Sequence, residues 1–165
     1  MILKNFEELP NVRKENPTRK IVLCTGAFDV THVGHIIFFE NCKKFGDILI
    51  AIVGSDSLCK INKGDTRPIL REEVRLKTVD SLKLIDYTLL DNITKEKKGH
   101  TALEEAFKIL QPDIYCVNDD GFDLPGRLEL AKKYGVTMKI LQRLENTGFE
   151  DISTTAIIEK IKETQ

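Results

Sequence analysis

The chain has no excess of charge of one sign. Lysine and arginine number 25 against 26 aspartates and glutamates, giving a formal net charge of -1. Nucleic-acid affinity rests on neutralising phosphates with a basic surface, so a DNA- or RNA-binding module is disfavoured. No apolar run approaches the ~20 residues that span a bilayer. The opening stretch, MILKNFEELP, lacks the charged-then-apolar order of a targeting signal. The four cysteines, Cys24, Cys42, Cys59 and Cys116, show neither CxxC nor Cys/His ligand spacing. Three of them lie in or beside apolar segments and read as buried free thiols of a reducing compartment. What is present suits one cytoplasmic globular domain over residues 1–165, with 1–19 as a polar lead-in: 41% of residues are hydrophobic and 31% charged.

Short β-branched runs alternate with longer helical stretches. Strands are expected at 20–24, 47–53, 87–90, 114–117 and 137–141. The run DILIAIV at 47–53 is nearly continuous in apolar residues, as in a strand covered on both faces. Helices are expected at 33–45, 71–84, 101–110, 125–134 and 154–162. Thr101 is the expected N-cap of the third, with Glu104 at capping-box spacing. Segments 54–66 and 95–99 read as loops, and the lead-in holds at most one turn, around Phe6 and Leu9. No internal repeat or low-complexity segment is visible. Strand–helix alternation predicts an α/β fold: a five-stranded parallel sheet with helices on both faces. Ligands in such folds bind at the carboxyl edge of the strands, near the reversal of strand order.

Histidine is scarce, and two of the three histidines, His32 and His35, fall in one short stretch. That stretch, Thr25 to His35, ends the first strand and opens the first long helix. Gly26 allows a sharp turn and close approach of backbone to ligand. His32 and His35, three apart, can face the same side of the helix start. Backbone N–H groups and the helix dipole there favour an anion, so the pair reads as a phosphate cradle. Gly34 keeps the helix start uncluttered. Asp29 can orient a histidine or help bind a metal-nucleotide, and Phe28 reads as packing for the turn. No third metal ligand is near, so no protein metal site is expected. His100, alone in a polar loop, receives no role.

The string Gly26-Ala27-Phe28-Asp29-Val30-Thr31-His32-Val33-Gly34-His35 resembles the signature of the cytidylyltransferase-like nucleotidyltransferases. The resemblance implies a Rossmann-like three-layer fold and transfer of a nucleoside monophosphate from a nucleoside triphosphate, with release of pyrophosphate. It implies that His32 and His35 bind the triphosphate and stabilise the transition state, within a binding segment formed by Gly26, Ala27, Phe28, Asp29 and Gly34. Mg²⁺ is implied with the triphosphate, and self-association as a homodimer is implied as well.

Three further segments extend the resemblance. Lys63-Gly64-Asp65-Thr66-Arg67-Pro68 and the following Arg71 to Arg75 resemble the adenylyltransferase domain of ADP-heptose synthases. A lysine after the second strand suits a departing pyrophosphate, with Lys63 ahead of Lys60. Arg67 and Arg75 suit an acceptor phosphate, which arginine grips in a bidentate way. Ile152-Ser153-Thr154-Thr155 resembles the ISTT segment of the family, and Ser153, Thr154 and Thr155 offer hydroxyls at a helix start. The segment before it departs from the RTEG form of the glycerol-phosphate branch and leaves open whether Arg143 serves as its arginine. Asn118-Asp119-Asp120 partly resembles the GDD segment of glycerol-3-phosphate cytidylyltransferases, which marks Asp119 and Asp120 for the acceptor.

The expected reaction joins a nucleoside triphosphate, ATP or CTP, to a phosphorylated sugar or polyol, most like a sugar 1-phosphate adenylyltransferase. A glycerol-3-phosphate-type cytidylyltransferase, an adenylyltransferase acting on a vitamin phosphate, and a non-catalytic nucleotide sensor stand as alternatives.

Overall fold

A computed structural model describes residues 1–97, 99–142 and 152–164. Arg143 lies outside the described residues. Five strands form one parallel sheet: β1 (Ile21–Gly26), β2 (Ile48–Gly54), β3 (Tyr87–Asp91), β4 (Ile114–Asn118) and β5 (Thr137–Leu141). Their spatial order is β3-β2-β1-β4-β5. Chain order therefore runs outward from β1 to β3, then jumps back to β4 on the other side of β1. Every residue of β2 is buried, as its unbroken apolar run predicts. The expected α/β architecture with a five-stranded parallel sheet is the observed one.

Seven α-helices occur among the described residues: α1 (Leu9–Glu15), α2 (Val33–Lys43), α3 (Asp56–Lys63), α4 (Glu72–Asp80), α5 (Thr101–Leu110), α6 (Leu124–Lys133) and α7 (Thr154–Glu163). Alternate strand residues serve opposite faces. Ile21 and Leu23 of β1 join a core with α1 and α5, containing Phe6, Leu9, Val12 and Phe107. Val22 and Cys24 join a second core with α2 and α4, containing Phe38, Phe39, Cys42 and Val79. All four cysteines are buried and free.

The structure corrects the reading in three places. The lead-in is not a polar tail with one turn. A 3-10 turn (Phe6–Glu8) runs into α1, and Phe6, Leu9 and Val12 are buried. Three apolar residues at helical spacing suffice to seal one margin of the core. Ahead of them, the Leu3 N–H donates to the Thr88 carbonyl at 2.8 Å, and the Thr88 N–H donates to the Met1 carbonyl at 3.0 Å. Residues 1–3 thus cover part of the β3 edge, which would otherwise present unpaired backbone groups.

Segment 54–66 is not a loop throughout, because it contains α3. The Ser55 hydroxyl accepts from the Leu58 N–H at 3.3 Å and caps the helix, Cys59 is buried beneath it, and Gly64 at φ 93° ends it. The helix is only eight residues long, polar and lysine-bearing, with Cys59 its one buried position, so the stretch reads as a loop. At α5, Thr101 is the first helical residue rather than the cap. The cap is supplied from a distance: the Ala102 N–H donates to Thr94 Oγ1 at 3.0 Å. Glu104 serves no capping box and is bound instead by Lys133 and the Tyr134 hydroxyl.

Candidate active site

The site is built at the carboxyl ends of β1 and β4, the strands flanking the reversal in order. The chain leaves β1 through a strained loop. Phe28 and Val30 hold φ of 48° and 46°, a region costly for residues with a Cβ and unusual for a β-branched one. Several contacts over-determine this conformation. The Phe28 ring is buried against Phe39, with centroids 4.8 Å apart, and lies edge-on to His35. A Cβ on Gly26 would stand 2.9 Å from the Phe28 ring. Gly26 is required for this close approach rather than for a turn. The Thr31 hydroxyl donates to the Phe28 carbonyl at 3.1 Å, and the Thr154 hydroxyl donates to the Asp29 carbonyl at 2.8 Å.

His32 is the N-cap of α2. Its Nδ1 accepts from the Gly34 N–H at 3.1 Å, while His35 Nδ1 accepts from the His32 N–H at 3.4 Å. The two rings lie 4.1 Å apart. A nitrogen that accepts carries no proton, so each ring when neutral keeps its hydrogen on Nε2. Both histidines are thereby set as Nε2 donors, the form that suits phosphate oxygens. Gly34 makes the cap possible, since a Cβ there would stand 2.9 Å from the His32 ring. His35 lines the main cleft, together with Ala27, Gly34 and Lys63, whereas His32 is buried beside it.

Asp29 does not present its carboxylate to a ligand, contrary to the expectation of a metal-nucleotide or histidine partner. It is 2% exposed. Its oxygens accept from the Ile69 N–H at 2.8 Å and the Leu70 N–H at 2.9 Å, and Arg67 Nε stands 3.2 Å away. Asp29 anchors the segment that follows α3 onto the β1–α2 loop. Arg67 remains on the cleft wall.

Arg75 departs from its expected place more sharply. It is fully buried and donates to the Leu70 carbonyl (2.8 Å), the Ala27 carbonyl (2.6 Å) and Asp56 Oδ1 (2.8 Å). No acceptor phosphate can reach it, and it works as a clamp. Lys63, at the end of α3, lines the cleft. Desolvation there, and next the charge of Arg67, lower the Lys63 pKa, although part of the side chain meets solvent. Lys60 is exposed on α3 outside the cleft walls.

At the start of α7, the three hydroxyl residues have separate placements. Ser153 caps the helix by accepting from the Ala156 N–H at 3.1 Å. Thr154 is buried and tied to Asp29, and Thr155 is exposed on the cleft wall. After β4, Asp120 lines the cleft, but Asp119 does not; its N–H donates to the Leu141 carbonyl at 3.0 Å.

A second cavity adjoins the first across the end of β1. It lies between the ends of β2 and β3, α3 and α5, with Ile52, Leu58 and Leu103 as apolar walls. Asn62, Asp91, Thr94 and His100 supply its polar groups. Burial raises the Asp91 pKa although its carboxylate accepts from the Thr94 N–H at 2.9 Å. Two residues here escaped the sequence reading. His100 lines this cavity, stacks on Phe122 with planes 6° apart, and has Nε2 2.8 Å from Asp123 Oδ2. Arg127 of α6 lines both cavities. His100 stands in a polar loop and Arg127 in an ordinary helix, so neither sits in a motif.

Among the described residues, no group of three or more His, Cys, Asp or Glu side chains could hold a metal ion. Mg²⁺ prefers oxygen ligands and keeps several waters, so a triphosphate can carry it with few protein ligands. With Asp29 committed to Arg67 and backbone amides, Asp120 is the carboxylate on the cleft wall nearest in kind to such a role. No described helix is long and apolar enough to cross a membrane.

The profile of the cytidylyltransferase-like family matches residues 23–160. Among curated proteins, the bifunctional protein HldE of Campylobacter jejuni is 35% identical over 162 residues, covering 98% of this chain and 32% of that protein. HldE of a Nitratiruptor species is 32% identical over 162 residues, covering 97% and 32%. The chain thus spans about a third of the length of the curated relatives it matches. Among solved structures, a lipopolysaccharide core biosynthesis protein from Thermoplasma volcanium is 31% identical with a TM-score of 0.59, covering 76% of this chain and 96% of that one. Pantoate-beta-alanine ligase from Francisella tularensis shares the fold at a TM-score of 0.61 and 16% identity, covering 99% and 78%. The family match over most of the chain, with the paired histidines at the sheet reversal, establishes that this protein belongs to the cytidylyltransferase-like family of nucleotidyltransferases.

Proposed function

We propose that the chain transfers the nucleoside monophosphate of ATP to a sugar 1-phosphate and releases pyrophosphate. The observation that carries this reading is the meeting of two cavities at the end of β1, with Lys63 on the wall of both. A nucleotidyl donor and a separate acceptor fit such adjoining chambers. An acceptor phosphate oxygen attacks the α-phosphorus, and the bond from that phosphorus to the bridging oxygen breaks in line. A phosphate monoester is already nucleophilic at neutral pH, so no general base is needed. Catalysis rests on positioning and charge stabilisation. His35 and His32 donate through Nε2 to the triphosphate, and Lys63 meets the departing pyrophosphate. Thr155 and the start of α7 border the nucleotide side, where Arg67 adds charge. Mg²⁺ on the triphosphate would neutralise phosphate charge.

The polar set of the second cavity, Asn62, Asp91, Thr94 and His100, suits the hydroxyls of a sugar. The likeness to HldE and the Lys63–Pro68 resemblance favour ATP and a sugar 1-phosphate. The presence of Asp120 on the cleft wall favours the second reading, CTP with a polyol phosphate. Assembly as a homodimer and a cytoplasmic location belong to the same proposal. A pyrophosphate-release screen of four nucleoside triphosphates against phosphorylated sugars and polyols tests it. Release with ATP and a sugar 1-phosphate is expected. Release only with CTP and a polyol phosphate selects the second reading, and nucleotide binding without release under any pairing rejects enzymatic transfer.

A further inference from the structure

Arg127 is a buried cation, 7% exposed, with no carboxylate in ion-pair contact among the described residues. Exposed Asp123, at the start of its helix, feels its charge only at longer range. Nη1 donates to the Tyr115 hydroxyl and to Thr25 Oγ1, the latter at 3.2 Å. Its Nε is buried and has no hydrogen-bond partner. The guanidinium lies over the Phe122 ring, 4.3 Å from the centroid, which adds cation–π attraction but no neutralisation. Tyr115 cannot neutralise it either. Burial lifts the Tyr115 pKa above its ordinary value, so the hydroxyl keeps its proton. Burying an unpaired charge is among the costlier arrangements in a fold. A bound ligand of opposite charge would relieve that cost.

The position of the side chain says which ligand. Arg127 lies on the wall shared by the two cavities, beside Thr25 at the end of β1. The adjoining histidine pair and Lys63 belong to the other side of that junction. A guanidinium also matches phosphate geometry through paired N–H groups. We propose that Arg127 binds the phosphate monoester of the acceptor where the two cavities meet, and so presents its oxygen to the donor. This assignment rests on the transferase reading above. It replaces Arg75, which the fold has committed elsewhere, as the acceptor-phosphate arginine.

The test uses Arg127→Met and Arg127→Lys in the full chain. Thr25 Oγ1 and the Tyr115 hydroxyl stand 3.1 Å apart and remain paired to each other when the guanidinium is removed. Ligand-free Arg127→Met is therefore expected to melt no lower than the wild type. A large drop would mark Arg127 as structural and overturn the proposal. In steady state, Arg127→Met should raise the acceptor KM by about 10- to 100-fold, the range of a lost charged hydrogen bond, with nucleotide KM within about two-fold. Arg127→Lys should fall between. An unchanged acceptor KM, or a loss confined to the nucleotide KM, overturns it. A second readout needs no turnover: inorganic phosphate should raise the melting temperature of wild type and His35→Ala but not of Arg127→Met. Persistence of that shift in Arg127→Met overturns the assignment. Failure of the wild type to release pyrophosphate with any acceptor would reject the transferase reading, while the phosphate-shift comparison would still judge Arg127.

Discussion

The Arg75 guanidinium donates to the Ala27 carbonyl at 2.6 Å, tying α4 to the loop that carries the paired histidines. Its other bonds reach Leu70 and Asp56. Arg75→Met should therefore destabilise the fold by about 3 kcal/mol, because it strands two carbonyls and one partly buried carboxylate. Urea unfolding measures this. A loss below ~1 kcal/mol would contradict the clamp.

His32 caps α2 and is also assigned to the triphosphate. His32→Asn separates the two roles, since asparagine is among the best N-caps but cannot reach as far. Stability should change by less than about 1 kcal/mol. Turnover should fall about 100-fold or more, as when one oxyanion donor is lost. A variant with normal turnover would remove His32 from the transfer step.

Asp29→Ala should free the segment after α3. The measurable sign is faster amide exchange at Ile69 and Leu70, whose N–H groups bond the carboxylate. Stability should drop by about 2–3 kcal/mol. Unchanged protection at those two amides would show that something else holds the segment.

The lowered Lys63 pKa gives a pH prediction. Its folded value lies below the ordinary 10.5, through desolvation first and Arg67 second. The charged form therefore opposes folding at neutral pH, and that cost is relieved as pH rises through the folded value. On the proposed mechanism catalysis runs the other way, because the Lys63 charge assigned to the pyrophosphate is lost over the same rise. kcat/KM should fall on an alkaline limb below the usual lysine range, and Lys63→Arg should move that limb upward. An identical limb in both enzymes would assign it to another group.

Val30 holds φ 46° with a branched side chain. Asparagine tolerates that region better. Val30→Asn should raise stability by about 1 kcal/mol. A lower melting temperature would mean that Val30 packing outweighs the backbone strain.

Much of this was legible in the residues because it is local. The unbroken apolar run of β2 marks a strand covered on both faces, and the alternation of such runs with helices marks the sheet. His32, Gly34 and His35 sit within one turn, so their shared placement follows from spacing alone. Arg75 and Arg127 are not legible in this way. Arg75 reads as a phosphate ligand because the sequence does not show its partners: Ala27 is 48 positions away and Asp56 is 19. Arg127 stands in an ordinary helical stretch, and only the reach of its side chain from α6 to Thr25 of β1 and Tyr115 of β4 makes it a buried cation. The α1 segment is obscure for a related reason, as three apolar residues acquire weight only when a core margin needs closing.

The reversal of strand order around β1 has one more consequence. On the proposed reading, donor-side groups come from the β1–α2 loop, α2 and α7, while Asp91 comes from the end of β3, His100 from the cap of α5 and Leu103 from α5 itself. The two groups share little beyond the end of β1 and the side chains of α3 and α6 that flank it. On that reading, drift in α5 retools acceptor choice while the nucleotide side stays intact. One scaffold can host many transferases by exchanging a single wall.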